Sequence, residues 1–390
     1  MTEMAMNRRE LIGAGIAAGG AAMLHPAAAL AQQPEGLNAI AERRGLRFGS
    51  ACAFGRAGAD RGSFANPAYA ALLERDCGLI VPENEMKWGA TRPAVDRYDF
   101  SRFDPMVDWS QKRGMGVRGH TLLWNQTRWM PKWLNEHDFG SRASSEAERL
   151  IVEHIRNVTG RYGKRIYSYD VVNETVDPAT GDLYANALTE AMGDRQAVCD
   201  LAFRTARETA PGAELVYNDY MGWDSGNDAT HRRGVLKLLE GFRKRGVPVD
   251  ALGLQSHISP QGGQPVGEQI AARQPVWREF LTEVTAMGYR LVITEFDVND
   301  RYVSADDAAR DRIVADYARG YLDVTLSFLQ LRDVLVWGMS DRYSWLSGFT
   351  PRADKSLIRG APYDAAFKPK PLYDAIGQAL AAAPARGKAE

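Results

Sequence analysis

The sequence predicts an α/β protein, a single (β/α)8 barrel, on three observations. Eight apolar segments rich in β-branched residues recur along the chain, beginning at Arg47, Gly78, Gly116, Tyr167, Glu214, Ala251, Arg290 and Asp333. Successive starts lie 31 to 51 residues apart, room for a strand, a loop and a helix in every interval. The segments are near-continuous apolar runs rather than alternating ones, as parallel strands covered on both faces require. Eight such units fit a closed barrel with enlarged loops better than an open doubly wound sheet. No GxGxxG or Walker-type loop follows any of them, which disfavours a nucleotide fold.

Taken in order, RFGSACAF is the first strand, and NPAYAALLERD is the helix that leads into the second, GLIVPEN. GVRGHTLLW and YSYDVVNE are the third and fourth strands. The helix-like AVCDLAFRTARETA precedes the fifth, ELVYNDY, and ALGLQSHI is the sixth. PVWREFLTEVTAMG, ending at Gly288 in the manner of a glycine C-cap, precedes the seventh, RLVITEFD; DVLVWGMSD is the eighth.

Composition narrows the function. The 390 residues are 45% hydrophobic and 25% charged, with a net charge of -1, so neither nucleic acid nor another polyanion is an expected partner. Three cysteines without CxxC spacing signal neither a disulfide framework nor zinc, and the six histidines form no HExxH-type pair. No metal or other cofactor is expected. Residues 1–31 carry Arg8-Arg9, a mildly apolar Gly/Ala run and Ala29-Leu30-Ala31, which reads as a twin-arginine-type export signal cut after Ala31. The expected location is therefore periplasmic or extracellular. No other stretch approaches the roughly 18 apolar residues of a membrane span. The catalytic domain is expected over 32–380, with 381–390, AAAPARGKAE, as a flexible tail.

Barrel enzymes work at the C-terminal ends of their strands, and the polar residues of this chain collect there. Asn84 ends the second segment, His120 and Trp124 the third, Asn173 and Glu174 the fourth, Asp219 and Tyr220 the fifth. Gln255 and His257 end the sixth, Glu295 and Asp297 the seventh, and Trp337 the eighth. Any one of these could be a helix cap or a satisfied core group. Seven strand ends treated alike are another matter, because each buried polar group left unpaired costs roughly 1–3 kcal/mol. Glu174 and Glu295 lie on strands that face each other across the barrel mouth, and a carboxyl pair flanking a groove suits glycoside hydrolysis. Carboxylates arranged for a metal are less supported, and enolate chemistry would want a lysine base or several acidic metal ligands. Trp88, Trp124, Trp129, Trp133, Trp337 and Trp345 fall in or after strand-end loops, where indoles can stack on sugar rings. Trp129 and Trp133 read as loop-packing aromatics instead.

Seven motifs in order carry a resemblance: ENEMKW from Glu83, RGHTLLW from Arg118, DVVNET from Asp170, YNDY from Tyr217, LQSHI from Leu254, ITEFDV from Ile293 and VWGMSDRYSWL from Val336. The chain resembles the family-10 glycoside hydrolases, the endo-1,4-β-xylanases, over most of its length. That resemblance implies xylan or xylo-oligosaccharide as substrate, with Glu174 as general acid/base and Glu295 as nucleophile of a retaining double displacement. It implies that His257, oriented by Asp297, bonds the nucleophile and that Asn173 holds the 2-hydroxyl of the reacting sugar. Glu83, Asn84, Lys87, His120, Trp124, Gln255, Trp337 and Trp345 would line the glycone side, and Tyr220 the leaving-group side. The family commonly continues after this tryptophan with His and then, a few residues on, Gln. Here the chain reads WNQTRWMP, a shortened loop in which Gln126 stands for that glutamine. A monomer is expected. The alternatives are a related retaining β-1,4-glycanase acting on cellulose or mannan, and a non-catalytic carbohydrate-binding barrel.

Overall fold

The computed structural model describes residues 35–387; the expected export signal, 1–31, lies outside them. The strands are β1 (Arg47–Cys52), β2 (Leu79–Pro82), β3 (Gly116–Trp124), β4 (Ser168–Asn173), β5 (Glu214–Asp219), β6 (Ala251–Leu254), β7 (His257–Ile258), β8 (Arg290–Val298) and β9 (Leu331–Val336). Neighbours from β1 to β6 pair in parallel, β6 pairs directly with β8, and β9 returns to β1. The ring therefore closes on eight strands, one from each apolar segment. β7 is a two-residue addition that pairs with the end of β8, His257 opposite Asp297.

The sixth segment differs from its reading as one continuous strand. It breaks at Gln255-Ser256, where Ser256 takes a left-handed backbone with φ 62 and its hydroxyl donates to Leu254 O at 3.1 Å. The helix Pro67–Asp76 starts where Asn66 accepts from the amides of Ala68 and Tyr69 with proline at the first position. The helix before β8 runs over Val266–Ala286, well ahead of the predicted start, and carries Pro275 inside it. An internal proline costs about 3 kcal/mol, and the buried face of Gln269, Trp277, Phe280, Leu281 and Val284 outweighs it. Gly288 follows with φ 92, the left-handed terminator the sequence led us to expect.

Two apolar layers hold the molecule. A small cluster of Ala51, Leu79, Val81, Val216, Ala251, Val292 and Leu335 fills the barrel, and a larger one lies between strands and helices. Polar residues complete the interior: Arg118 pairs with Asp170 at 2.5 Å, both fully buried. A β-carbon at Gly253 would stand 2.3 Å from Asn218 Oδ1, so glycine is what lets the Asn218 amide lie against β6.

The tail corrects the sequence reading. Residues 381 and 382 end the helix Pro371–Ala382, and Ala383 is buried behind it. Arg386 is 7% exposed and donates to the carbonyls of Leu331, Leu326 and Phe328. These carbonyls include that of Leu326, the C-terminal cap of the helix Asp307–Thr325, so the guanidinium satisfies groups that helix leaves open. Its terminal position suggested fraying, but one long side chain supplies the anchor. Replacing it, Arg386→Ala, should lower the unfolding free energy by about 2 kcal/mol, measured by urea denaturation; no change would mean the tail carries no load.

Candidate active site

A cleft of about 540 Å³ opens at the C-terminal ends of the strands. Its walls include Glu83, Asn84, Lys87, His120, Trp124, Glu174, Tyr220, Gln255, His257, Glu295, Trp337 and Trp345. Asn173, Gln126 and Asp297 stand directly behind this lining, each in contact with it through the hydrogen bonds described next. All the residues that the resemblance named for the site are thereby brought to one place.

Glu174 follows the last residue of β4 in a left-handed backbone, φ 51, that a β-carbon disfavours. Strained backbone of this kind persists only where the surroundings fix it. Four hydrogen bonds do so: the Glu174 amide donates to Asn218 O at 2.9 Å, and Trp124 Nε1, Gln126 Nε2 and Gln255 Nε2 donate to its carboxylate at 2.9, 3.0 and 2.9 Å. The shortened loop after Trp124 thus still brings Gln126 onto Glu174.

Glu295 sits inside a different set of neighbours. Asn218 Nδ2 donates to its Oε1 at 2.8 Å, His257 Nε2 lies 3.4 Å from Oε2, and His120 Nδ1 lies 3.9 Å from Oε1. Behind it, His257 Nδ1 bonds Asp297 Oδ1 at 2.9 Å, and Trp345 Nε1 bonds the other oxygen of Asp297 at 2.8 Å. His120 is in turn held by Asp170 at 2.9 Å. The two glutamates are joined through Asn173, whose Oδ1 accepts from Asn218 Nδ2 at 2.8 Å and from Gln255 Nε2 at 3.4 Å. Asn173 Nδ2 is buried and has no hydrogen-bond partner among the described residues.

These surroundings push the two carboxyl groups apart. Burial raises Glu174, the charges of Asp219 and Glu295 add to the rise, and the hydrogen bonds from Gln255 and Trp124 only partly oppose it. Burial acts on Glu295 in the same direction, yet the bond from His257, the His120 and His257 rings and Asn218 together outweigh it and hold the group down to about 2. Burial would neutralise His257, but Asp297 and Glu295 raise it to about 10, so it is an imidazolium. Glu83 is pushed up to about 7 by burial and by Glu85.

Aromatic rings form the sides. Trp124 stacks on Trp129 with centroids 4.7 Å apart, and Lys87 Nζ lies 4.6 Å over the Trp124 ring. Trp345 packs on His257 and Phe349, and Trp337 meets His120 edge-on at 5.4 Å. Two tryptophans exchange the places expected of them. Trp88 is buried, stacked on His154 at 4.1 Å, and does not line the cleft; Trp129 is exposed and does. Trp133 packs as expected, its Nε1 donating to Arg92 O. Sequence reasoning passed over Asn218, although it stands in the YNDY motif one residue before Asp219, and it passed over Arg128, Asp224 and Phe349 on the cleft wall.

Residues 36–379 match the family described as Glycosyl hydrolase family 10. The chain belongs to that family. It is 30% identical to endo-1,4-beta-xylanase 3 of Hypocrea jecorina over 346 residues, 88% of this chain and 86% of that protein. It is also 30% identical to endo-1,4-beta-xylanase 5 of Pyricularia grisea, over 91% of this chain and 81% of that one. The fold is similar to that of xylanase 10B from Thermotoga petrophila, solved in complex with xylobiose, at 27% identity and a TM-score of 0.77, covering 89% of this chain and 98% of that one. The protein is thus a glycoside hydrolase on a (β/α)8 barrel.

The His257 imidazolium sets a pH dependence of stability. Its folded value of about 10 exceeds the ordinary 6.5, so its contribution is complete below about pH 6.5 and is lost as pH rises through 10. Glu295, held at about 2 against an ordinary 4.5, contributes above pH 4.5 and loses that contribution as pH falls toward 2. His257→Gln should flatten the alkaline slope of unfolding free energy against pH; an unchanged slope would contradict the charged pair.

Proposed function

We propose that this chain is a retaining endo-1,4-β-xylanase. The observation that carries the reading is the unequal carboxyl pair, one group raised and the other depressed, joined through Asn173 at the floor of an aromatic cleft. Glu174 enters the reaction protonated and gives its proton to the oxygen of the departing sugar. Glu295, ionised, attacks the anomeric carbon and forms a glycosyl-enzyme ester. Its negative charge then disappears, which removes one of the causes holding the Glu174 proton in place. Glu174 can now act as the base that takes a proton from water as the water attacks the same carbon, releasing the sugar with its configuration retained.

The surrounding groups fit this division of labour. Asn173 Nδ2, buried without a partner among the described residues, is free to donate to a hydroxyl of the reacting sugar, the 2-hydroxyl in our reading. The imidazolium of His257, fixed by Asp297, keeps Glu295 ionised until it attacks. Trp345, pinned by Asp297 and packed on His257 and Phe349, makes a wall that yields little, which favours xylose because xylose lacks a hydroxymethyl group. Glu83, Asn84 and Lys87 bind the glycone side, and Tyr220 the leaving-group side. Residues 1–31 direct export, and the mature protein begins at Gln32; mass spectrometry of the exported protein tests the cleavage point.

Glu174→Ala should lose roughly 10²- to 10⁴-fold in kcat/KM on xylan but far less on an aryl xylobioside whose leaving group needs no proton. Glu295→Ala should fall to background on both while its far-ultraviolet circular dichroism stays that of the folded protein. Proton NMR of the first product should show the β-anomer, and an α-product would overturn the retaining assignment. Reducing-end release should be much faster from xylan than from cellulose or mannan. In His257→Gln, the acid limb of the kcat/KM profile should move to higher pH, because Glu295 loses the charge that depresses it.

A further inference from the structure

The shortened loop after Trp124 leaves a cation in the cleft that the hydrolytic reaction does not use. Thr127–Trp129 form a single 3-10 turn, and Arg128 at its centre is exposed and lines the cleft. Its Nε donates to Gln126 Oε1 at 3.1 Å, and its guanidinium carbon lies 4.9 Å over the Trp129 ring. Those two contacts fix the plane of the group and leave both terminal nitrogens without a hydrogen-bond partner among the described residues. No carboxylate of the described residues stands within 4.0 Å of it, although the cleft wall carries Glu174, Glu295 and Asp224. Asp224 is already paired with Arg273, and Lys87, the one lysine in the wall, is bonded to Asn84.

The turn also lies toward the leaving-group side. Thr127 Oγ1 donates to Ala185 O at 3.5 Å, which sets the turn against the loop that carries Tyr184. The Tyr184 and Tyr220 phenols interact, and burial raises Tyr184 while the charge of Arg128 pulls against that rise. A neutral xylose chain offers no opposite charge to a guanidinium. A planar fork, oriented in advance with two donors free, matches a carboxylate.

We propose that Arg128 binds the carboxylate of a uronic acid attached to the xylan backbone on the leaving-group side of the cleft, so that the enzyme prefers acidic over neutral xylan there. This rests on the xylanase reading above. It adds a charged specificity contact to that cleft, with Gln126 and Trp129 holding the contact in position.

The test compares neutral xylo-oligosaccharides with the same oligosaccharides bearing one glucuronate, for the wild type, Arg128→Ala and Arg128→Glu. Arg128 also touches Gln126, so the readout is the acidic-to-neutral ratio of kcat/KM rather than either value alone. The ratio should exceed one in the wild type, fall by about five-fold in Arg128→Ala and fall further in Arg128→Glu. High salt should lower the wild-type ratio and leave that of Arg128→Ala unchanged. The glucuronate should be recovered on the fragment released as leaving group. An equal ratio in wild type and Arg128→Ala, an equal loss on both substrates, or recovery of the glucuronate only on the other fragment would each overturn the proposal. Failure of the xylanase reading looks different: the wild type would then not cleave the neutral oligosaccharides at all.

Discussion

Two carboxyl groups buried in one cleft cannot both be ionised cheaply, and most of the upper half of this barrel is arranged around that constraint. Burial alone would raise both. The fold breaks the tie by giving Glu295 an imidazolium, a second imidazole and an amide donor, while Glu174 receives neutral donors and the nearby negative charge of Asp219. The asymmetry comes from neighbours and not from depth, since both groups are equally out of water. Asn173 and Asn218 tie the halves together, so neither carboxyl group can shift without moving the other's support.

Holding such a set in place requires polar groups inside the barrel, where apolar packing would otherwise be simplest. The buried Arg118–Asp170 pair extends to His120 and from there to Glu295, a line of polar contacts running up the inside of β3 and β4 toward the mouth. A buried ion pair recovers its desolvation cost only when its remaining donors and acceptors are occupied. Asp170 meets that condition by accepting from both Arg118 and His120. The backbone contributes too: the left-handed residues Glu174 and Ser256 mark the points where β4 and β6 stop being strands and turn side chains into the cleft.

The walls serve a different physical purpose from the floor. Indole faces offer apolar area to sugar rings, while their ring nitrogens anchor the acids: Trp124 to Glu174 and Trp345 to Asp297. A single side chain thus shapes the groove and fixes the charge beneath it. The turn carrying Arg128 and Trp129 is where this chain departs from the pattern its motifs resemble. Its substitute for the longer loop is an arginine held over a tryptophan ring.

Much of this was readable from the order of residues. Parallel strands covered on both faces must be apolar throughout, so the eight segments stood out, and a polar residue ending such a run has few reasons to be there other than use. Glu174 and Glu295 were visible on those grounds, as were His257, Gln255 and Asn173. Other features depended on contacts between residues far apart in the chain. Trp88 and Trp129 occupy similar positions after strand ends, and only packing against His154 or Trp124 decides which one is core and which is wall. Arg386 reads as tail until the carbonyls of Leu326, Phe328 and Leu331 are brought within its reach. Local sequence therefore determined which residues would stand at the barrel mouth, because strand period and burial act over a few neighbouring positions. Tertiary structure decided which of the two glutamates would carry a charge, because that depends on groups from separate strands and falls steeply with distance.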